Sequence, residues 1–228
     1  MSKKRTRSRR IDRRWAFGGV IAAVLLLVAL VVAGLTLSPL QPVASSAAAV
    51  PTSTMSECGS PVCGQANAPV TIEIYSDFQC PYCARADAVL QQLAPKYIDT
   101  GKAKVSYRNF IFIGTESEWA AQAAQCAAEQ NKFWTFANYL FTHQAGENSG
   151  AFSRDNLKKI AAQIGLNASA FNTCFDSGKY AAQVNQETSE GQQRGVQATP
   201  TFFINGQRYE GVLSFDQLAS LIDAGQPK

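Results

Sequence analysis

The sequence contains very little histidine, and His143 in the segment FTHQAGEN is the single one among 228 residues. A zinc site built on one CxxC pair needs two further ligands. One histidine does not supply both, and Cys126 and Cys174 stand far apart in the sequence. This scarcity argues against a zinc centre, and we expect neither a metal nor another cofactor. His143 itself is expected to be a surface loop residue.

Basic residues are not in excess beyond the first fourteen positions. Residues 1–14 contain eight basic groups and one acid, whereas the remainder contains 13 basic and 16 acidic residues, a net charge of −3. A nucleic-acid-binding domain is marked by basic charge clustered on its folded part. The distribution argues against such a domain, and no nucleic-acid partner is expected.

Charged residues are missing entirely from Trp15–Leu37, a stretch dominated by Val, Leu, Ala and Ile. As a helix it is roughly 34 Å long, enough to cross a bilayer core of about 30 Å. The basic residues 1–14 favour a cytoplasmic N-terminus, which places the rest of the chain outside. Residues 15–37 are therefore predicted to be an uncleaved single-pass transmembrane anchor. The alternatives are a signal peptide cleaved near the small residues 47–49 and a twin-arginine signal at residues 8–10.

The segment after the anchor is rich in Ser, Ala, Pro and Thr and has no helical or strand period. We predict a flexible tether over residues 38–63, which ends in a cysteine pair. Cys58 and Cys63 enclose Gly59-Ser60-Pro61-Val62, where Gly and Pro favour a turn, so a local disulfide is expected. Its expected role is structural, and exchange with another cysteine pair is the alternative.

A folded domain is predicted over residues 64–228. Its first elements, in chain order, are a strand at Val70–Tyr75, a helix at Cys80–Leu93, a strand at Lys104–Ile113 and an almost entirely helical stretch from Glu116 to Gly195. The strands are recognised by their β-branched and aromatic residues, and the helices by their apolar period. This order predicts an α/β fold.

Two more strands and a helix are predicted to close the domain. Phe202–Ile204 and Gln207–Glu210 flank Asn205-Gly206, which is a strong hairpin signal. Ser214 and Gln217 have the spacing of a capping box, which predicts that a last helix begins there.

The motif Cys80-Pro81-Tyr82-Cys83 lies between a predicted strand and a predicted helix. A cysteine at a helix N-terminus faces unpaired N–H groups and the positive end of the dipole, and both favour the thiolate that attacks disulfides. Two intervening residues keep the second sulfur within reach of the first. Pro81 suits the first helical turn, where no N–H partner is needed. We interpret Cys80 and Cys83 as a redox pair; a structural disulfide and half of a zinc site are the alternatives.

The segment VTIEIYSDFQCPYC, the pair Thr199-Pro200 in ATPTFFINGQ and the helical stretch between them resemble DsbA-type thioredoxin-fold proteins of bacterial envelopes. The resemblance covers roughly residues 64–225. It implies a thioredoxin fold with a helical insertion at about 115–195, preceded here by the transmembrane helix. It also implies that Cys80 is the nucleophile and Cys83 the resolving cysteine.

The same resemblance implies roles for residues beside the pair. Pro200 matches a cis-proline that lies against the redox cysteines and helps to hold the substrate chain. Pro81, Tyr82 and Thr199 are expected to bind substrate or tune the reduction potential. The alternative for Pro200 is an ordinary trans proline that begins an edge strand.

Cys126 and Cys174 resemble positions that carry a second disulfide in some relatives. An oxidising compartment disfavours free buried thiols there. We therefore expect a structural Cys126–Cys174 bridge, with two separately packed thiols as the alternative.

One position departs from the family. Many relatives carry a buried acid six residues before the first cysteine, where this chain has Ile74. Glu73 lies one residue earlier, and strand alternation turns it to the opposite face. Three alternatives stay open: a bulge turns Glu73 back to the face of the redox pair, Asp77 substitutes for it, or the proton relay is absent.

The leading functional hypothesis is an enzyme of the bacterial cytoplasmic membrane that introduces disulfides into reduced exported proteins. By resemblance, a quinone-linked membrane oxidase of the DsbB or vitamin K epoxide reductase type would reoxidise it. The alternatives are an envelope reductase or isomerase with the same chemistry, and a non-catalytic anchored binding module.

Overall fold

Residues 54–227 are described by a computed structural model of the chain. The predicted cytoplasmic segment 1–14, the predicted anchor 15–37 and most of the predicted tether lie outside these residues. Between residues 54 and 227, no helix combines the length and the apolar character needed to cross a membrane.

The described part of the chain is an α/β domain built on one five-stranded sheet. Its strands are β1 (Val62–Cys63), β2 (Val70–Ser76), β3 (Ala103–Asn109), β4 (Thr201–Ile204) and β5 (Gln207–Glu210). Their order across the sheet is β1-β3-β2-β4-β5. The strands β2 and β3 are parallel, and the other neighbours are antiparallel.

Helices join and cover these strands. They are α1 (Pro81–Leu93), α2 (Thr115–Ala128), α3 (Phe133–Thr142), α4 (Arg154–Gln163), α5 (Ala168–Asp176), α6 (Ala181–Gln193) and α7 (Phe215–Ala224). A 3-10 turn at Thr54–Glu57 precedes β1, and a π turn at Ala94–Ile98 follows α1. The thioredoxin-type α/β order predicted from the sequence is confirmed, with α2–α6 as the insertion between β3 and β4.

The domain begins earlier than the predicted boundary at residue 64. Val62 and Cys63 pair with Ser106 and Val105 of β3, and the Met55 side chain is fully buried. A disulfide joins Cys58 to Cys63, as predicted, with Cα atoms 5.4 Å apart. The end of the predicted tether is therefore part of the fold, because the bridge and the strand pairing hold it against the sheet.

The strand β3 ends earlier than the strand predicted over Lys104–Ile113. It ends at Asn109, and residues 110–113 leave the sheet although their side chains are apolar. Its partner β2 ends at Ser76, so the later N–H groups bond elsewhere: Ile111 donates to Thr188 Oγ1, and Phe112 and Ile113 donate to Asp77 Oδ2. The Asp77 carboxylate therefore accepts backbone hydrogen bonds at the point where β2 no longer offers carbonyl partners.

The insertion is less continuous than the predicted helical stretch. Residues 143–153 form an irregular loop between α3 and α4. Glu116 holds this loop, since its carboxylate accepts hydrogen bonds from the backbone N–H groups of Gly150 and Phe152. A disulfide joins Cys126 of α2 to Cys174 of α5, with Cα atoms 5.9 Å apart, as the sequence led us to expect.

The C-terminal elements follow their sequence signals. Asn205 and Gly206 both have positive φ, 48° and 85°, in the two-residue turn between β4 and β5. Ser214 Oγ accepts from the N–H of Gln217, and the Gln217 side chain accepts from the N–H of Ser214, which completes the capping box of α7. Local chemistry therefore defines both the hairpin and the last helix.

Aromatic packing connects the insertion to the end of β2. Phe78 stacks on Tyr107 of β3 at 5.1 Å between ring centroids, and it contacts Phe141 of α3 at 5.0 Å. Trp134, at the start of α3, meets Tyr107 edge-on. The aromatic run of α3 is thus mostly core, and it fixes the position of the turn that leads to Cys80.

Candidate active site

Cys80 occupies the N-cap position of α1, immediately after the turn that follows β2. Its backbone N–H donates to Asp77 O at 3.1 Å, and Pro81 is the first helical residue. The first turn of a helix has N–H groups without intrahelical partners, and here they surround the Cys80 sulfur. The predicted placement of Cys80 at a helix N-terminus agrees with the structure.

The Cys80 thiol is adapted to ionise. The pKa of Cys80 is lowered to about 6, mainly by a hydrogen bond from the Cys83 thiol and against burial, which raises it. The Thr199 side chain and the N–H groups of Cys83 and Tyr82 also contribute to this lowered pKa. Because the thiolate is the nucleophile in disulfide exchange, Cys80 is ready to react near neutral pH.

Cys83 has the opposite character. It lies one turn into α1 with no exposed surface, and burial together with its contacts to Cys80 raises its pKa well above the usual value. The N–H of Asp77 is 3.5 Å from its sulfur. Both cysteines are free thiols in this structure. One helical turn therefore holds an exchange-ready sulfur and a protonated sulfur side by side.

The loop before β4 approaches the pair from the other side. The Thr199-Pro200 peptide bond is cis, as the family resemblance implied. The Cys80 thiol donates to Thr199 O at 3.4 Å, which brings together residues 119 positions apart in the sequence. Thr199 and Pro200 are both buried, and Pro200 O accepts from the N–H of Gly211.

A polar network holds the turn that carries Cys80. Asp77 accepts four hydrogen bonds, from the N–H groups of Gln79, Phe112 and Ile113 and from the Ser117 hydroxyl. Gln144, beyond the end of α3, donates to Phe78 O at 2.8 Å and to Cys80 O at 3.1 Å. The insertion therefore positions the redox turn as well as covering the sheet.

Glu73 does not reach the redox pair. Its carboxylate forms ion pairs with Arg108 at 3.5 Å and Arg194 at 2.8 Å, on the sheet face opposite Cys83. No bulge turns it inward, because β2 pairs in unbroken register with β3 from Val70 to Ser76. The substitute role considered for Asp77 is also unsupported, since its oxygens are occupied by the donors of the turn.

His143 is exposed, stacks on Tyr139 at 3.9 Å and contacts Tyr139 O through Nδ1, so it is a surface residue as expected. Between residues 54 and 227, no three His, Cys, Asp or Glu side chains are grouped to hold a metal ion.

Exposed apolar side chains lie on the redox turn and on two segments whose backbone bonds to its neighbours Asp77 and Pro200. Tyr82 is 53% exposed and Phe112 is 55% exposed, and Val212 follows the glycine that bonds to Pro200 O. Tyr82 also lies under the guanidinium of Arg85, 4.4 Å from its ring centroid. Sequence reasoning identified Tyr82 but missed Phe112, which it assigned to a strand.

Sequence reasoning also missed Asp87 on the buried face of α1. The signal was available, because residues 83, 86, 87 and 90 share one helical face at the usual spacing. An acid within that apolar pattern marks either an error in the assignment of the face or a buried carboxyl group. Here the carboxyl is buried.

Comparisons with known proteins agree with this geometry. A family model described as Thioredoxin matches residues 56–224. The Na(+)/H(+) antiporter NhaA 3 of Salinispora tropica is 29% identical over 161 residues, which cover 70% of this chain and 24% of the antiporter. Disulfide bond formation protein D of Bacillus subtilis is 27% identical over 169 residues, which cover 72% of this chain and 76% of the relative.

A solved structure is also similar. The crystal structure of alpha-DsbA1 from Wolbachia pipientis has a TM-score of 0.65 and 26% identity, covering 72% of this chain and 89% of that one. The chain spans about a quarter of the length of the antiporter relatives that it matches. The resemblance to DsbA-type thiol–disulfide oxidoreductases is confirmed, and the chain belongs to the thioredoxin family.

Proposed function

We propose that this protein is an extracytoplasmic thiol–disulfide oxidoreductase that introduces disulfides into exported proteins through Cys80 and Cys83. The observation that carries the proposal is the contrast within one helical turn. Cys80 has a lowered pKa beside the cis-Pro200 loop, whereas Cys83 is buried with a raised pKa. This is the arrangement that exchange requires, one sulfur to react with the substrate and one to close the ring.

The reaction begins with the oxidised pair. A substrate thiolate attacks Cys80 Sγ, the Cys80–Cys83 bond breaks, and its electron pair stays on Cys83, which takes up a proton. A second substrate thiolate then attacks the substrate sulfur of the mixed disulfide and releases Cys80 as a thiolate. The substrate has lost two electrons, and the cysteine pair has gained them.

Thiolate stability favours this direction. A leaving thiol with a low pKa departs more readily, and Cys80 is the sulfur that leaves in the second step. Its pKa of about 6 therefore supports an oxidant more than a reductant. We propose that Pro81, Tyr82 and Thr199 tune the potential, since all three adjoin the Cys80 sulfur in sequence or by contact.

The surface around the pair suits an extended chain with apolar side chains. Tyr82, Phe112 and Val212 are exposed on the redox turn and on the segments bonded to Asp77 and Pro200, and the cis-Pro200 loop is within hydrogen-bond reach of the Cys80 sulfur. A substrate cysteine can reach Cys80 while neighbouring apolar residues of the substrate contact these side chains. Unfolded exported proteins present such segments, whereas folded proteins bury them.

The location is proposed from the sequence. An uncharged span at residues 15–37 after a basic segment supports a membrane anchor with the described domain outside. A quinone-linked membrane oxidase of the DsbB or vitamin K epoxide reductase type would then reoxidise Cys80–Cys83.

Full-length protein should fractionate with membranes and resist extraction by high salt. Recovery of a soluble form that begins near residue 50 would support a cleaved signal instead.

The activity is tested with a reduced, unfolded substrate protein. Oxidised wild type should form substrate disulfides and Cys80→Ser should form none. Cys83→Ser, with Cys80 first converted to its mixed disulfide with glutathione, should exchange glutathione for substrate and accumulate mixed disulfides that are visible on non-reducing gels. Oxidation that persists in Cys80→Ser would refute the assigned nucleophile. Binding of the substrate without any thiol dependence would favour an anchored binding module.

The direction is tested by comparing the melting temperatures of the two redox states, with Cys126–Cys174 kept intact. A strongly oxidising pair is less stable in its disulfide form, so the reduced protein should melt at the higher temperature. A higher melting temperature for the oxidised protein would favour a reductase.

A further inference from the structure

A carboxyl group with one unpaired oxygen lies inside the domain, on the helix of the redox pair. Asp87 of α1 is 4% exposed. Within residues 54–227, its Oδ1 atom is buried and has no hydrogen-bond partner. Burying an acid in this way costs stability, and the cost is smaller when the group is neutral.

Asp87 lies on the same helical face as Cys83. It is four residues, about one turn, further along α1, and both side chains belong to the buried face. Residues at this spacing have Cβ atoms about 5–6 Å apart. Side chains on Cβ atoms at this spacing can bring a carboxyl oxygen and a sulfur within reach of one bridging water, and a proton can pass through that water.

Few other titratable groups share this space. Tyr107 of β3 faces both Cys83 and Asp87, and its hydroxyl donates to Ser76 O. Asp77, at the end of β2, is occupied by its four donors. The helix α3, which packs on α1, has no charged residue, and the acids of α7, Asp216 and Asp223, are exposed. Asp87 is therefore a buried carboxyl one helical turn from Cys83, and within residues 54–227 its Oδ1 has no hydrogen-bond donor.

We propose that Asp87 donates and accepts the proton of the buried Cys83 thiol during each redox cycle. The inference rests on the proposed function, in which Cys83 must alternate between thiol and thiolate. Glu73 faces the other side of the sheet, so an acid on the helix takes the place of an acid on the strand.

The proton balance is the same in both directions. When a substrate thiolate attacks Cys80 Sγ, the Cys80–Cys83 bond breaks and Cys83 leaves with the electron pair. The Asp87 carboxylic acid gives Cys83 its proton and becomes a carboxylate, which regains a proton from solvent. When Cys83 attacks a mixed disulfide on Cys80, the Asp87 carboxylate removes the thiol proton first.

The chemistry of Asp87 suits this task. Burial raises its pKa to about 7, against a hydrogen bond from Gln91, which lowers it. A group that exchanges protons is most effective when its pKa is near the working pH. Both forms of Asp87 are therefore present near neutrality, although an exposed aspartate would be fully ionised there.

The test separates the two steps of oxidation by glutathione disulfide. Reduced full-length protein is mixed with the disulfide, quenched in acid and analysed by mass spectrometry. Attack by Cys80 forms a glutathione adduct, and attack by Cys83 on Cys80 Sγ then releases it. In Asp87→Asn we expect an unchanged rate of adduct formation and at least about tenfold slower release at pH 7. The inflection of the release rate near pH 7 should disappear.

Two further variants control the result. Asp87→Glu keeps a carboxyl group and should restore most of the release rate with a displaced inflection. Asp155→Asn removes an exposed acid on α4 and should leave both steps unchanged. If Asp87→Asn does not fold, Asp87→Glu decides the question, because an undisplaced inflection in that variant overturns the assignment.

The outcomes distinguish the inference from the proposed function. Wild-type release and its inflection retained in folded Asp87→Asn would overturn the role of Asp87 and leave the redox pair intact. Failure of the wild type to form an adduct on Cys80 would overturn the proposed function itself.

Discussion

The pairs Cys80/Cys83 and Cys126/Cys174 use the same atoms in different surroundings. Cys80 and Cys83 lie within one helical turn, at the end of a helix, and both are free thiols. Cys126 and Cys174 lie within two different helices, are 48 positions apart and are joined by a bond. The first pair has N–H groups and a loop carbonyl around an ionisable sulfur, whereas the second sits among packed side chains.

This difference separates a reactive pair from a structural one. The environment of Cys80 stabilises the thiolate, so opening the active pair is easy. Opening the other pair would free two helices of the insertion and lose the constraint on the unfolded chain. The position of a cysteine in its helix thus matters more than its burial, since all four residues are buried.

The contrast would be broken most strongly by removing the second thiol of the active pair. Cys83→Ala takes away the hydrogen bond that does most to lower the pKa of Cys80, while much of the burial remains. We expect that pKa to rise from about 6 to about 7–8, which would cut the thiolate fraction at pH 7 by about twofold to tenfold. Thiolate absorbance against pH measures it. An unchanged pKa would assign the activation to the helix terminus alone.

The structural pair should show the reverse pattern. Replacing Cys126 and Cys174 together by Ser should lower the free energy of unfolding by about 4 kcal/mol at most, from loop entropy. The pKa of Cys80 should stay near 6. Denaturant unfolding and thiolate titration of the same variant check both halves. A shifted Cys80 pKa in a folded variant would show that the two pairs are coupled.

The pH dependence of the unfolding free energy tests the buried Asp87, which lies on the same helix as the active pair. The pKa of Asp87 in the folded state is raised from 3.8 to about 7. The contribution of the protonated Asp87 to the free energy of unfolding is therefore fully present below pH 4 and is lost as pH rises through 7. Between pH 5 and pH 8 the loss of unfolding free energy should be roughly 3 kcal/mol. Unfolding curves at pH 5 and pH 8 should therefore differ, after subtraction of the same difference in Asp87→Asn. Equal differences in the two proteins would show that Asp87 ionises normally.

The smallest expected effect concerns the third pair. Phe133 N–H donates to Gly59 O and Trp134 N–H approaches Cys58 O at 3.5 Å, so the loop closed by Cys58–Cys63 satisfies the first N–H groups of α3. Replacing both cysteines by Ser should cost about 2 kcal/mol and speed amide exchange at Phe133 and Trp134. Exchange at the start of α5, which has its own Asn167 cap, is the internal control. Unchanged exchange at α3 would show that the loop holds its position without the bridge.

Much of the fold could be predicted because its signals are local. The Asn205-Gly206 turn, the Ser214 cap and the CxxC motif at a helix start each depend on neighbours in the sequence, and each appears in the structure. The cis-Pro200 loop and the Cys126–Cys174 bridge depend on distant partners, and only the family resemblance pointed to them.

The errors arose where distant groups decide the local structure. Residues 110–113 have strand composition, but Asp77 captures their N–H groups because the neighbouring strand has ended. The pairing of β1 with β3 was missed because two residues carry no periodicity. Gln144 was missed because its side-chain amide donates hydrogen bonds to backbone carbonyls that are 64 and 66 positions away in the sequence.

The Cys58–Cys63 bridge also determines how the domain carries a mechanical load. Tension applied at the N-terminal end of the domain acts first on the short turn that buries Met55, and then on Cys58. From there the covalent bridge passes the force directly to Cys63, so the intervening loop that bonds to α3 is bypassed. The force then acts on β1, whose antiparallel pairing with β3 is at the edge of the sheet, four strands away from β5. Pulling would strain this outer edge, while the cysteine turn between β2 and α1 remains outside the line of force.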